Sequence, residues 1–353
     1  MVIERVISGR DAVYLDLQKR PDRNKLNEPE LFFARHAGQL VCLDEIQQTP
    51  DLFSILRTVV DEDRRPGRFL VLGSASRDFI RQSSETLAGR IAYLELTPFQ
   101  YREVMPEIAL FDHWNRGGFP ESCLAADDQN SAAWRHDFVR TFLERDIPNL
   151  GPAGIPVSRI ETLWRLIAHL HGQTMNYRMM AESIDVSVPT VKGYLALLEQ
   201  TFMIRLLPPL EANLRKRLVK SPKLYMRDTG LLHTLLDLDS LDHVQGHPVW
   251  GPSWEGYAIE NLCTAYPRHR ASFARTGNGA EVDLVLQRGT ETLLFECKAS
   301  RAPKPSRGLH HLIEDIKPSH SYIVAPVDES YPYSETITVV PLRELVVEVS
   351  PWT

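Results

Sequence analysis

The chain has 353 residues, room for two or three domains, and its 43% hydrophobic and 24% charged residues exclude wholesale disorder. No apolar run reaches the length of a membrane span, and the opening MVIERVISGRD, with acidic Glu4 and no apolar core, is not a secretory leader. The net charge of −6 gives no global nucleic-acid signature, yet residues 156–223 hold ten Lys/Arg against five Asp/Glu, a basic middle in an otherwise acidic chain.

In chain order, a short helix VIERVI stops at Ser8-Gly9 and the strand AVYLDL follows. A helix around ELFFARHA leads to the apolar strand LVCLDE, and the helix DLFSILRTVVDED to the strand FLVLGSAS. The helix DFIRQSSETLAGR leads to a strand IAYLEL that stops at Thr97-Pro98. Apolar strands separated by helical patterns predict a parallel α/β sheet. From Phe99 to Asn149 the pattern is helical, broken at Gly117-Gly118, and NLGPAGIP reads as a linker. YRMMAESIDVSVPTVKGYLALLEQ then has the form helix, tight turn, helix, and TFMIRLLPPL supplies a β wing, which together make a winged helix-turn-helix pattern. After Arg227 a helix WEGYAIENLCTAY precedes strands near SFARTG, AEVDLVLQRG and TLLFECKAS, a helix SRGLHHLIEDI and a strand SYIVAP, a mixed α/β unit. Cys42, Cys123, Cys263 and Cys297 lie far apart with no C-x-x-C, which argues for a reducing cytoplasm and against a zinc site or disulfide framework.

Three places carry chemistry. LVCLDEIQ is an apolar strand ending in Asp44 and Glu45; in an ATPase the first such carboxylate holds the Mg²⁺ shell and the second polarises the attacking water. The next strand ends in polar Ser74, a residue type that orients a lytic water; two buried strands with polar ends give the same pattern without any catalysis. In SVPTVKGYLALLEQ, Ser187, Thr190, Lys192 and Tyr194 occupy the first turns, where groove contacts originate, while Val191, Leu195 and Leu198 form a buried stripe. Arg215, Lys216, Arg217, Lys220 and Lys223 follow the wing and suit phosphate neutralisation on DNA, although such modules also serve as protein-packing units. Finally, Asp283 in one strand and Glu296-x-Lys298 in the next meet through a hairpin turn near Arg288-Gly289. Strand alternation puts Glu296 and Lys298 on one face, where two carboxylates and a lysine can hold Mg²⁺ and orient a water for phosphodiester attack. His310 and His311 read as helix cover rather than metal ligands.

This last set resembles the PD-(D/E)XK nuclease pattern, which implies Asp283 and Glu296 as metal ligands and Lys298 as the water-orienting group; Glu260 on the preceding helix matches the additional acidic residue, ahead of Glu255. The whole order of motifs, LVCLDEIQ, FLVLGSAS, LAGRIAYLELTPFQYREV, GGFPE, FLERDI, PKLYMRDTGLL, WEGYAIENL, GAEVDLVL and FECKAS, resembles a bacterial and archaeal AAA+-type ATPase family with a C-terminal domain of uncharacterised function. The resemblance implies ATP binding with Mg²⁺, Asp44 and Glu45 as the Walker B pair, Ser74 as the sensor position and Arg90 as an arginine meeting phosphate, an oligomeric ring being common to such cores. The family's G-x-x-x-x-G-K-[ST] loop is missing, and no Gly-Lys dipeptide occurs anywhere, so nothing in these residues grips the β- and γ-phosphates. A start placed too late and a degenerate ATPase both account for this. The expected architecture is therefore an α/β protein of four parts: a truncated P-loop-type parallel sheet (1–98), a helical lid (99–150), a winged helix (155–225) and a PD-(D/E)XK nuclease-like domain (226–353). The expected function is that of an ATPase-family member, ATPase-incompetent as written, whose nucleic-acid-acting C-terminal module carries a candidate Mg²⁺-dependent nuclease site with DNA or RNA left open. The rival is a non-catalytic DNA- or protein-binding module with a degenerate nucleotide core.

Overall fold

The computed structural model describes residues 7–73, 86–150, 156–211 and 218–347, in two compact units, Met1–Leu96 and Thr97–Thr353. The expected opening helix, Ser74, and the cluster Arg215, Lys216 and Arg217 lie outside the described residues.

In the first unit, β1 (Ala12–Asp16), β2 (Leu40–Asp44) and β3 (Phe69–Val71) form a parallel sheet with β2 in the middle. Val41, Cys42 and Leu43 are buried because a middle parallel strand is covered on both faces. Phe33 from α1 (Pro29–Arg35) and Leu52, Phe53, Leu56 and Val59 from α2 (Leu52–Glu62) close over Leu15, Leu17 and Leu43. The segment IAYLEL differs from its reading: residues 91–96 form no strand, and Leu94 and Leu96 are 73% and 74% exposed. An extended run of β-formers becomes a strand only when an edge is there to receive it, so its propensity alone did not decide the outcome.

The second unit opens with helices whose Gly117-Gly118 break is a close approach. A Cβ on Gly117, whose φ is +76°, would stand 2.3 Å from the Asp228 carboxylate, and one on Gly118 2.2 Å from the Phe99 carbonyl. Gly118 N–H donates to Asp228 at 2.8 Å, so this turn bolts α3 (Leu110–Arg116) to the chain entering α8 (Thr229–Leu235). Between them, after α4 (Asp128–Thr141), come α5 (Val157–His169), β4 (Gln173–Thr174), α6 (Tyr177–Ser183), α7 (Val188–Gln200), β5 (Ile204–Leu207) and β6 (Lys223–Met226). The three strands make an antiparallel sheet in the order β4-β6-β5. Val191, Leu195 and Leu198 are buried against Ile160, Trp164 and Ile167 of α5, as their helical spacing predicts.

The last part is a six-stranded mixed sheet in the order β11-β12-β10-β9-β8-β7, from β7 (Arg270–Arg275), β8 (Glu281–Arg288), β9 (Glu291–Cys297), β10 (His320–Val324), β11 (Tyr331–Pro332) and β12 (Ile337–Val340). The helix α9 (Trp250–Ala265) contributes Trp254, Ala258 and Leu262 to the apolar cluster that holds Phe273, Leu284, Leu286 and Phe295. The helix α10 (Arg307–Ile316) contributes Leu309 and Leu312 to a second cluster with Val285, Leu294 and Ile323. The connection β9–α10–β10 returns parallel to β9, which puts the C-terminal end of β9 at the start of a loop.

Candidate functional site

The β8–β9 hairpin turns at Gly289, which takes a φ of +59°, and pairs Leu284 with Phe295. That register carries Asp283 to the end of β9, where its carboxylate accepts the Cys297 N–H at 2.8 Å. Glu296, 3% exposed, accepts the Ser306 N–H on its two oxygens at 3.0 and 3.2 Å and pairs with Lys298 at 2.9 Å. Asp283, Glu296 and Lys298 are thus gathered at one strand end.

Glu260 is not with them. It is buried on α9 between two arginines, accepting from Arg205 Nε at 2.8 Å and Nη2 at 3.1 Å and from Arg227 Nε at 2.9 Å. Burial alone would raise its carboxyl; the two guanidiniums outweigh that and hold it down at about 2. The helical acid that faces Asp283 is instead Glu255, because five residues along a helix turn the side chain to the other flank. The link is Lys223, opening β6 and 2% exposed. Its ammonium lies 2.8 Å from Glu255 and 3.8 Å from Asp283, and it is paired with Glu281. Tyr225 donates its hydroxyl to Glu255, and the Tyr225 and Phe273 rings lie 6.0 and 5.7 Å from the ammonium. Burial opposes the charge on Lys223, but Glu255, Asp283 and Glu281 outweigh it and raise its pKa. Burial, with the Glu255 charge behind it, pushes the Asp283 carboxyl up, against Lys223 and the Cys297 N–H.

The chemistry of this donor set decides the fit of a metal. Glu255, Glu281 and Asp283 surround an ammonium, and Glu296 is taken by Lys298 and a backbone amide. Among the described residues no group of three His, Cys, Asp or Glu is arranged to hold a metal ion. The residues as they stand do not fit Mg²⁺, which needs several oxygens at about 2.1 Å. Sequence reasoning missed Lys223, reading it as part of a surface basic cluster, and Glu281. A lysine opening the apolar strand KLYM, and an acid two residues before Asp283 on the same strand face, were the available signals.

In the first unit, Asp44 ends β2 and accepts the Tyr14 hydroxyl at 2.7 Å, which together with burial raises the Tyr14 pKa. Glu45 follows in a left-handed conformation with φ 55° and pairs with Gln47. Neither carboxylate forms an ion pair with a described residue. Arg90 pairs with Asp61 at the end of α2, its guanidinium donating twice, at 2.8 Å each. Among the described residues, Asp44 and Glu45 thus stand side by side at the end of β2 without an ion-pair partner, and Arg90 is paired with Asp61.

On the α5–α7 part, Lys192 is exposed and lies 5.0 Å over the Tyr177 ring, and Lys220 is exposed. Ser187 and Thr190 are spent on the cap of α7, Ser187 Oγ accepting the Thr190 N–H at 3.3 Å. Tyr194, expected at the groove, is buried in the core. An open groove of about 730 Å³ runs past Gln173, Asn176, Arg178, Lys192 and Ser221.

The chain has recognisable relatives. Residues 1–105 match the family described as AAA domain, residues 107–242 a domain of unknown function (DUF8612) and residues 250–345 a second one (DUF4143). A parallel sheet with an Asp-Glu pair at the end of its middle strand, together with these matches, defines an AAA-type ATPase-like protein. More narrowly, the chain belongs to the family of two uncharacterised mycobacterial proteins, one of Mycobacterium bovis and one of Mycobacterium tuberculosis. Each is 38% identical to it over 332 residues, 94% of this chain and 74% of the relative.

Proposed function

We propose that this AAA-type ATPase-like protein holds nucleic acid without cutting it. In this reading α5 to β6 form a winged helix, and the C-terminal sheet is a PD-(D/E)XK nuclease-like module serving as a binding platform. The carrying observation is Lys223, whose buried ammonium stands among Glu255, Glu281 and Asp283 where a nuclease of this pattern holds its metal. An ammonium in such a cluster takes up the carboxylate oxygens that Mg²⁺ and its activated water would need. Support for nucleic acid comes from the exposed Lys192 beside an open polar groove and from Lys220. Cys42, Cys123, Cys263 and Cys297 form no disulfide with one another, which supports a reducing cytoplasm, and no helix among the described residues is long and apolar enough to cross a membrane.

The order Asp283, Glu296, Lys298 favours a second reading, a Mg²⁺-dependent nuclease with Glu255 in the place expected for Glu260. Incubating the purified chain with supercoiled and linear DNA and Mg²⁺ or Mn²⁺ separates the two. Retarded but intact DNA is expected; cleavage that disappears in Lys298→Ala overturns the binding reading.

A further inference from the structure

A second basic surface lies after β9, in a stretch that neither the motifs nor the acidic cluster account for. From Lys298 to His311 the chain reads KASRAPKPSRGLHH, and no Asp or Glu falls between Glu296 and Glu314. Arg301, Lys304 and Arg307 are exposed, and none makes an ion pair or side-chain hydrogen bond with a described residue. Other exposed cations of the second unit are drawn into pairs, as Arg178 is with Glu182 at 3.0 Å and Arg270 with Glu211 at 2.8 Å, whereas these three stand within seven residues of one another.

The backbone under these three cations is fixed at four points. Trp250 Nε1 donates to the Ala299 carbonyl at 3.2 Å, Pro303 is buried, and Ser306 N–H is held by the Glu296 carboxylate. Ser306 Oγ then caps α10 by accepting the Leu309 N–H at 3.1 Å, and Leu309 is fully buried. Pro303 and Pro305 restrict the chain between the cations further. A strap held this way presents its charges with little backbone entropy left to lose on binding.

We propose that this strap, Arg301–Lys304–Arg307, is a phosphate-backbone contact for single-stranded or duplex nucleic acid. The proposal rests on the nucleic-acid reading above and gives that reading a specific surface. Charge complementarity selects a polyanion. The exposed large apolar side chains of the described residues include none between Lys298 and His311, so the strap lacks the anchors that would seat it in a lipid surface. With no acid and no aromatic side chain in the strap, the contact is to phosphates and carries no base preference.

The test is the salt dependence of binding to a fluorescein-labelled thirty-nucleotide oligo-dT, followed by anisotropy, for the full chain and for R301E/K304E/R307E. Each phosphate contact contributes about 0.7 to the slope of log affinity against log salt on a single strand, so losing three lowers the slope by about 2. At least a tenfold weaker Kd at moderate salt goes with it. The neutral variant R301Q/K304Q/R307Q, expected to lose most of the same slope, replaces the reversal should the latter unfold. If the parent chain binds neither this oligonucleotide nor its duplex with oligo-dA, the nucleic-acid reading itself fails. If it binds and neither variant changes the slope, that reading stands and the strap proposal is overturned. Strap-dependent binding to phosphatidylserine vesicles without binding to the oligonucleotide also overturns it.

Discussion

At the scale of single residues, Lys223 decides how the acidic cluster is understood. Removing one partner of a buried ion pair costs about 3–5 kcal/mol, because the remaining charge stays in a low-dielectric site. Lys223→Met is therefore expected to lower the urea midpoint strongly, and the double variant Lys223→Met/Asp283→Asn to recover part of the loss. A single variant as stable as the parent would show that the ammonium carries no such weight. Buried histidines give a second prediction. His233, fully buried, has Nε2 2.8 Å from Ser253 Oγ and Nδ1 3.2 Å from the Asn115 carbonyl, and burial pushes it down to about 3; burial does the same to His171, to about 3. Below the unfolded value of about 6.5 the unfolded chain binds a proton that the folded one refuses, so stability falls as pH drops from 6.5 toward 3, by about 1.4 kcal/mol per pH unit for each ring. In His233→Asn the acid limb of stability against pH, from urea unfolding, should be shallower by that amount. An unchanged limb would mean that the ring is protonated in the folded protein.

At the scale of elements, the strands and helices around Asp283, Glu296 and Lys298 were legible because alternation along β8 and β9 and the Gly289 turn are local signals. The helical partner was not. Glu255 and Glu260 sit on one helix, and which of them faces the sheet depends on the rotation of α9, which is set by Trp254, Ala258 and Leu262 packing on the sheet. Lys223 was hidden for a related reason: its burial depends on a sheet far away in sequence. Tyr194 shows the same limit, since a residue in the first turns of α7 can face the core as readily as a groove. The segment 91–96 was misread from propensity, and the exposure of Leu94 and Leu96 makes a direct prediction. Leu94→Asp with Leu96→Asp should shift the stability of the 353-residue chain by no more than about 0.5 kcal/mol, as exposed positions do. A loss of several kcal/mol would mean that the segment is packed as a strand.

At the scale of the whole molecule, the chain joins an ATPase-like unit to a unit whose acidic cluster carries its own cation. Asp44 and Glu45 stand without a described cation near them, Arg90 is committed to Asp61, and the sequence has no Gly-Lys dipeptide. Phosphate release from Mg²⁺-ATP by the 353-residue chain is accordingly expected to stay at background; turnover lost in Glu45→Gln would refute this. In the proposed reading the C-terminal cluster takes no divalent metal because Lys223 is already there. Calorimetric titration of the chain with Mn²⁺, repeated on Asp283→Asn and Asp44→Asn, tests it most directly. No binding in the micromolar range that depends on Asp283 is the predicted result; a stoichiometric micromolar site that vanishes in Asp283→Asn and survives in Asp44→Asn would contradict it.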